Sequence, residues 1–162
     1  CTPQSPNCLF CPLSGSCRAL SEGKVQQLPV KQHRTKTTNR YFNYIYVRMG
    51  AHTLIHKRTE DDIWKNLFEL PLVETEKDLS EEEFLACPQF HALFAEGEVR
   101  MVRTLLRGVK HVLSHRVIYT NFYEVTLPDN SSSFSSYQRV AVEDLGRYAV
   151  PRLIHAFLEK YV

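Results

Sequence analysis

Four of the chain's five cysteines lie within its first seventeen residues, and this concentration restricts the possible fold more than any other feature. Cys1, Cys8, Cys11 and Cys17 are separated by six, two and five residues. Four cysteines can bind zinc, hold an iron–sulfur cluster or form two disulfides. Only one pair has the CxxC spacing that zinc ribbons use twice, so the pattern favours an iron–sulfur cluster and leaves zinc and disulfides as alternatives.

The composition of the 162 residues is typical of a soluble globular protein, with 43% hydrophobic and 23% charged residues. No apolar run approaches the roughly 20 residues that cross a bilayer, and the start does not have the pattern of a secretory signal. We therefore expect a cytoplasmic, monomeric protein with no membrane partner. Because the chain opens on a candidate ligand rather than a methionine, we also expect it to be a fragment.

The net charge of +2 is small, but the charges are unevenly distributed. Basic residues without acids occupy 23–39, acidic residues dominate 60–83, and basic residues return between 98 and 124. Such a pattern predicts a phosphate-facing surface opposite a solvated face, which favours a nucleic-acid partner. Ordinary surface charge is the alternative.

The apolar pattern predicts an α+β domain with a mostly antiparallel or mixed sheet. Strands are predicted at 40–48, 52–58, 70–74, 116–126 and 138–142, with one or two more between 99 and 115. The first two should pair as a hairpin around a turn at 49–51. A capping box at Ser80 predicts a short helix, Pro88 begins another helical turn, and 151–161 has the pattern of an amphipathic helix.

The motifs together resemble one protein family. The cysteine spacing, with Pro12 and Leu13 after Cys11, is similar to the cluster loop of the endonuclease III superfamily of DNA glycosylases. The downstream motifs resemble the C-terminal region of the MutY-type adenine DNA glycosylases. In order they are Lys57-Arg58, Ile63-Trp64, Leu67, Leu70-Pro71, His111-Val-Leu-Ser-His115 and Tyr148-Ala-Val-Pro151.

The resemblance implies three regions: the end of a catalytic domain at 1–20, a connector at 21–36, and a Nudix-like recognition domain at 37–162. Cys1, Cys8, Cys11 and Cys17 would hold a [4Fe–4S] cluster. In this family, adenine excision belongs to a helical domain upstream of the first cysteine. We therefore expect no catalytic residue and no glycosylase activity in this chain.

The resemblance further implies a partner, double-stranded DNA that carries 8-oxoguanine opposite adenine. Leu113, Ser114 and His115 match the family's Phe-Ser-His recognition tip, with leucine in place of the phenylalanine that wedges against the base stack. The nearby cations are candidate phosphate contacts; they are Arg107, Lys110 and Arg116. In a bacterium such a protein would be associated with the nucleoid.

Two other functions are weighed against this one. A Nudix-type pyrophosphohydrolase needs a Gly-x5-Glu-x7-Arg-Glu-x2-Glu-Glu box for its metal, and the acidic stretch at 74–83 does not contain it. A protein-interaction module using the connector is the third possibility. The cluster loop also departs from the family, because residues 2–7 carry no Lys or Arg to face phosphate.

Overall fold

A computed structural model describes residues 5–28 and 37–162, and the chain divides into two compact units, Cys1–Lys36 and Thr37–Val162. In the first unit, the described residues form a 3-10 turn at Ser14–Ser16 and the one-turn helix α1, Arg18–Ser21. None of residues 5–28 is buried. Part of the predicted connector, 29–36, lies outside the described residues.

The second unit contains two sheets. The larger has the strand order β4-β1-β6-β5, in which β1 and β6 are parallel and the other pairs are antiparallel. Its strands are β1 Thr38–Arg48, β4 Leu72–Thr75, β5 Met101–Val112 and β6 Arg116–Thr126. The smaller antiparallel sheet has the order β3-β2-β7, with β2 His52–Lys57, β3 Phe68–Glu69 and β7 Gln138–Ala141. The predicted α+β fold with a mixed sheet is confirmed.

The predicted hairpin between β1 and β2 is wrong. The two strands share one isolated bridge, Met49 to His52, and then enter different sheets. A strand has two hydrogen-bonding edges, and those of β1 are taken by β4 and β6. Gly50 redirects the chain with φ 55°, and a side chain there would also meet the Asp129 carboxylate at 2.9 Å.

The core lies on both faces of the larger sheet. On one face Phe42, Tyr44 and Phe122 pack against helix α4, Arg152–Tyr161, with the rings of Phe122 and Phe157 stacked at 4.1 Å. The other face packs against α2, Glu81–Leu85, and α3, Pro88–His91. Because successive strand residues point to opposite faces, residues 42–47 of β1 are all buried.

The predicted helix starts are confirmed. The Glu83 N–H donates to Ser80 Oγ at 3.1 Å, and the Ser80 N–H donates to the Glu83 carboxylate at 2.8 Å, which completes the capping box. Pro88 opens α3 and Pro151 immediately precedes α4. In the described part of the chain, no helix is long and apolar enough to traverse a bilayer.

Residues 101–126 form one long hairpin, β5 and β6. A bulge interrupts β5 at Gly108, where the pairing register with β6 shifts between Leu106 and Val109. Gly108 has φ 69°, and its N–H donates to Asn121 Oδ1 at 2.9 Å. The turn of this hairpin, residues 113–115, stands at the end of the sheet.

Candidate nucleic-acid interface

The three residues predicted to recognise the lesion form the turn between β5 and β6, which we call the recognition tip (residues 113–115). The Leu113 N–H donates to the Arg116 carbonyl at 2.8 Å, which closes the turn. The His115 carbonyl accepts from the Thr38 N–H at 3.1 Å, so the tip is also fastened to the start of β1. Ser114 and His115 are exposed. The backbone therefore holds the turn while two polar side chains face solvent.

Two adjacent apolar residues at the tip differ in environment. Leu113, which the family resemblance assigns as the wedge, is half-buried and packs against the core cluster of Phe42 and Ile118. Val112, which the sequence reasoning missed, is 65% exposed. Strand alternation could have indicated it, since Lys110 and Val112 share a face of β5 and both are exposed.

The three predicted phosphate contacts have different surroundings. Arg107 donates to the Leu79 carbonyl at 2.6 Å, and Arg116 pairs with the Asp62 carboxylate. Lys110 is exposed, with its ammonium 6.0 Å from the centre of the Tyr119 ring. Two of the three cations therefore already have oxygen partners within the protein, and Lys110 is the most accessible to a phosphate.

Asp62 connects the tip to the interior, and the sequence reasoning did not identify it. Its carboxylate accepts from Arg40 at 2.6 Å, from Arg58 at 3.1 Å, and from Arg116, the first residue of β6. Arg40 also binds Glu74 through two hydrogen bonds of 2.6 Å. We call this set the arginine node; its members are Arg40, Arg58, Arg116, Asp62, Glu69 and Glu74.

The deepest member of the arginine node is Glu69, which is 2% exposed. It accepts from Arg58 Nη1 at 2.8 Å and from the Tyr44 hydroxyl at 3.0 Å, and His56 Nε2 lies 3.2 Å away. Burial, together with the charge of Glu69, raises the pKa of Tyr44. The buried carboxylate of Glu69 thus accepts hydrogen bonds from Tyr44 and Arg58, as a buried polar group requires.

Burial alone would raise the pKa of Asp62, but its hydrogen bonds outweigh this effect. Donation from Arg40, from the Ile63 backbone and from Arg116 brings the pKa down to about 2. Asp62 therefore carries a full negative charge at neutral pH. That charge offsets the arginines that converge on it.

A cleft of about 470 Å³ lies beside the tip. One wall is formed by residues 61–63, in the connection between β2 and β3, and the other by residues 113–116. The first wall takes its shape from a sharp bend, because Trp64 and Asn66 have φ angles of 60° and 69°. The Trp64 ring lies 5.8 Å from the ring of His111 on β5, so the bend also contacts the hairpin.

In the first unit, three of the four predicted cluster ligands line one cavity of about 520 Å³; they are Cys8, Cys11 and Cys17. All three thiols are free, and Cys1 lies outside the described residues. No three His, Cys, Asp or Glu side chains of the described ranges are grouped to hold a metal ion. A four-iron cluster takes one thiolate per iron and is larger than an ion, so thiols around a common cavity suit its donor chemistry.

The acidic residues 81–83 belong to the first turn of α2. Glu83 is engaged in the capping box, and three carboxylates at the start of a helix are favoured by its dipole. Local helix stability therefore accounts for these glutamates. They fit a nucleotide hydrolase less well than they fit a helix cap.

Residues 43–160, most of the chain, match the family model of the NUDIX domain. The adenine DNA glycosylase of Buchnera aphidicola subsp. Acyrthosiphon pisum is 24% identical over 164 residues, covering 99% of this chain and 44% of the relative. The adenine DNA glycosylase of Buchnera aphidicola subsp. Schizaphis graminum is 33% identical over 75 residues, covering 46% of this chain and 22% of the relative. The chain thus spans less than half the length of these relatives.

A solved structure has a similar fold. The C-terminal domain of mouse MUTYH, in its complex with human PCNA, superposes with a TM-score of 0.60 at 14% identity, covering 75% of this chain and 86% of that one. At this identity the likeness shows a shared fold only. The domain compared is the C-terminal domain of mouse MUTYH.

Proposed function

The chain belongs to the NUDIX domain family, and from this premise we propose that residues 37–162 are the part of an adenine DNA glycosylase that recognises 8-oxoguanine opposite adenine. The observation that carries the proposal is the placement of Leu113, Ser114 and His115 at the turn of a long hairpin, with Ser114 and His115 exposed. A binding residue on such a turn projects beyond the sheet while the strands fix its position.

The chemistry of the lesion suits a serine at this position. Guanine presents two acceptors, N7 and O6, in the major groove. Oxidation at C8 converts N7 to an N–H donor and adds an oxygen acceptor beside it. The Ser114 hydroxyl can accept from the first group and donate to the second, whereas unmodified guanine offers no such pair.

The neighbouring groups have supporting roles. Lys110 binds phosphate, Val112 and Leu113 supply apolar surface beside the base stack, and His115 adds a donor or supports the turn. Adenine excision is assigned to the upstream catalytic domain that the family resemblance implies, so this chain alone has no glycosylase activity. The protein would act as a monomer on cellular DNA.

The first unit would hold a [4Fe–4S] cluster through Cys8, Cys11 and Cys17, with Cys1 as the fourth ligand. Free thiols around one cavity support this assignment. The thiolates of Cys8, Cys11 and Cys17 would cross-link the loop through such a cluster, and Leu9 and Phe10 in the same loop are exposed. With no Lys or Arg at 2–7, this loop contributes little to phosphate binding.

The test compares binding of the 162-residue chain to duplexes that contain 8-oxoguanine:adenine or guanine:adenine, by fluorescence anisotropy at several salt concentrations. Ser114→Ala should lose most of the preference for the lesion, about tenfold, because one base-specific pair of hydrogen bonds is worth roughly 1–3 kcal/mol. Ser136→Ala, at another exposed serine, is the matched control. If the wild-type chain binds both duplexes equally and responds only to salt, it is a phosphate clamp and the proposal fails.

A further inference from the structure

A series of ion pairs connects the recognition tip to the buried residue Glu69. Glu69 and Arg58 are 2% and 8% exposed and bind each other at 2.8 Å. Arg58 and Arg40 both donate to Asp62, and Asp62 in turn binds Arg116. The arginine node contains three guanidinium groups and three carboxylates, so its formal charges balance.

Arg116 transmits this attachment to the turn. It is the first residue of β6, and its carbonyl accepts the Leu113 N–H that closes the tip. Its side chain is 36% exposed, whereas the Asp62 side chain is 19% exposed. The side chain of Arg116 is therefore drawn inward toward an anion that is itself fixed by two more deeply placed arginines.

We propose that Asp62 is a positioning residue for lesion recognition: it holds Arg116 against the body of the domain and so sets the place of Ser114, and it keeps Arg116 from binding phosphate. This inference rests on the function proposed above, and it assigns a role to a residue that need not touch the DNA. It also reassigns Arg116, which the sequence suggested as a phosphate contact, to an internal tether.

Loss of the Asp62 charge affects the three arginines unequally. Arg40 keeps Glu74 and Arg58 keeps Glu69 as partners. Asp62 is the only carboxylate with which Arg116 pairs among the described residues. Asp62→Asn should therefore leave the inner pairs in place and release Arg116 alone, which gives a cation at the DNA surface while loosening the turn.

Loosening the turn should lower the preference for the lesion, whereas releasing Arg116 should strengthen binding to DNA in general. In Asp62→Asn, preference for the 8-oxoguanine:adenine duplex over the guanine:adenine duplex should fall about fivefold or more, because the Ser114 hydrogen bonds depend on position. Affinity for the guanine:adenine duplex should rise, and the slope of log K against log salt should steepen by about 1, as for one added phosphate contact. A residue that only stabilised the fold would weaken binding to both duplexes.

Glu60→Gln is the matched control, because it removes one negative charge from the same loop at an exposed position outside the tip cleft. It should leave the lesion preference unchanged. Arg116→Met is the second variant; it leaves Asp62 between Arg40 and Arg58 and should lose the preference without a steeper salt slope. The double variant should show no greater loss than either single one, because both break the same link.

The outcomes separate this inference from the proposed function. If the wild-type chain shows no lesion preference, the proposed function fails and the tether has no recognition to support. If the wild-type chain discriminates and Asp62→Asn, folded by circular dichroism, discriminates equally well, the tether is overturned while the proposed function stands. If Asp62→Asn weakens binding to both duplexes and leaves the ratio of the two affinities unchanged, the positioning role of Asp62 is also overturned.

Discussion

At the scale of single residues, we propose that Val112 and Leu113 share the apolar roles that the family resemblance gives to one position. Leu113 is held by the core cluster, whereas most of the surface of Val112 faces solvent. An apolar side chain inserted between bases must be accessible before DNA arrives. The geometry therefore favours Val112 as the group that meets the base stack and Leu113 as the anchor of the turn.

Alanine substitutions should separate these roles. Leu113→Ala should lower the free energy of unfolding by about 1–2 kcal/mol, since a half-buried leucine loses part of its packing. Val112→Ala should change stability by less than about 0.5 kcal/mol and weaken binding to both duplexes by about 1 kcal/mol. Urea unfolding and anisotropy measure the two quantities. The opposite pattern, a stable Leu113→Ala with weak DNA binding, would return the wedge role to Leu113.

Residues whose roles depend on local sequence were predictable, and those whose roles depend on tertiary contacts were not. Ser80 and Glu83 are three positions apart, so their capping box is visible in the sequence. Asp62 binds Arg40 and Arg116, which are 22 and 54 positions away. Within an acidic stretch, it had no local signal to distinguish it from ordinary surface charge.

At the scale of elements, the loop after β6 is fastened by a single carboxylate. Glu98 accepts from the N–H groups of Ser132 at 2.9 Å and Ser133 at 3.2 Å, and from the hydroxyls of Ser131, Ser132 and Ser133. The hydroxyls of Ser131 and Ser133, followed by the backbone of Ser132, lower the pKa of Glu98 to about 2. A run of serines that would otherwise favour an irregular loop is thereby tied to residues before β5.

This arrangement predicts a dependence of stability on pH. The pKa of Glu98 in the folded chain, about 2, lies below its ordinary value of 4.5, so folding favours the ionised form. Its contribution is fully present above pH 4.5 and is lost as the pH falls through about 2. The difference in unfolding free energy between wild type and Glu98→Gln should therefore be constant near neutral pH and shrink under acid conditions.

Urea unfolding from pH 7 to pH 2 checks this, because the contributions of other groups cancel in the difference between the two proteins. Glu96→Gln, an exposed change in the same segment, is the control. Amide exchange at Ser132 and Ser133 should also quicken in Glu98→Gln, since both N–H groups lose a charged acceptor. A difference that stays constant down to pH 2 would contradict the assignment.

Helices and strands that one stretch of sequence determines were predicted well. The pairing between strands was predicted poorly. The long strand at 116–126 and the helix after Pro151 have clear apolar patterns, and both are confirmed. The expected pairing of β1 with β2 is wrong because burial on both faces gives β1 more distant partners. Sequence proximity favours a hairpin, but the competition between β2 and β6 is decided by the whole sheet.

At the scale of the whole molecule, the hydrophobic core and the proposed recognition machinery belong to one unit. Every buried apolar residue of the described ranges lies between Phe42 and Phe157, and the recognition tip and the arginine node belong to the same unit, Thr37–Val162. In the first unit, by contrast, Leu9 and Phe10 are 93% and 83% exposed. The described residues of the first unit, 5–28, therefore add no buried apolar side chain to the core.

Removal of residues 1–36 should therefore leave the second unit intact. The thermal midpoint should stay within about 2 °C of the full chain, because none of the described residues of that segment, 5–28, is buried. The preference for 8-oxoguanine:adenine, and its loss in Ser114→Ala, should persist in the shortened chain. Reconstitution with iron and sulfide should give the absorption of a thiolate-bound cluster in the full chain and none in the shortened one, whose only cysteine is Cys87.

The stability and the lesion preference of the shortened chain together show whether residues 1–36 contribute to recognition. If the shortened chain folds but no longer distinguishes the lesion, the cluster loop takes part in recognition and the tip is not sufficient. If it neither folds nor binds, the first 36 residues stabilise the domain in a way that the exposure of residues 5–28 does not suggest. Retention of both stability and discrimination would assign lesion recognition to residues 37–162, with no contribution from the cysteine loop.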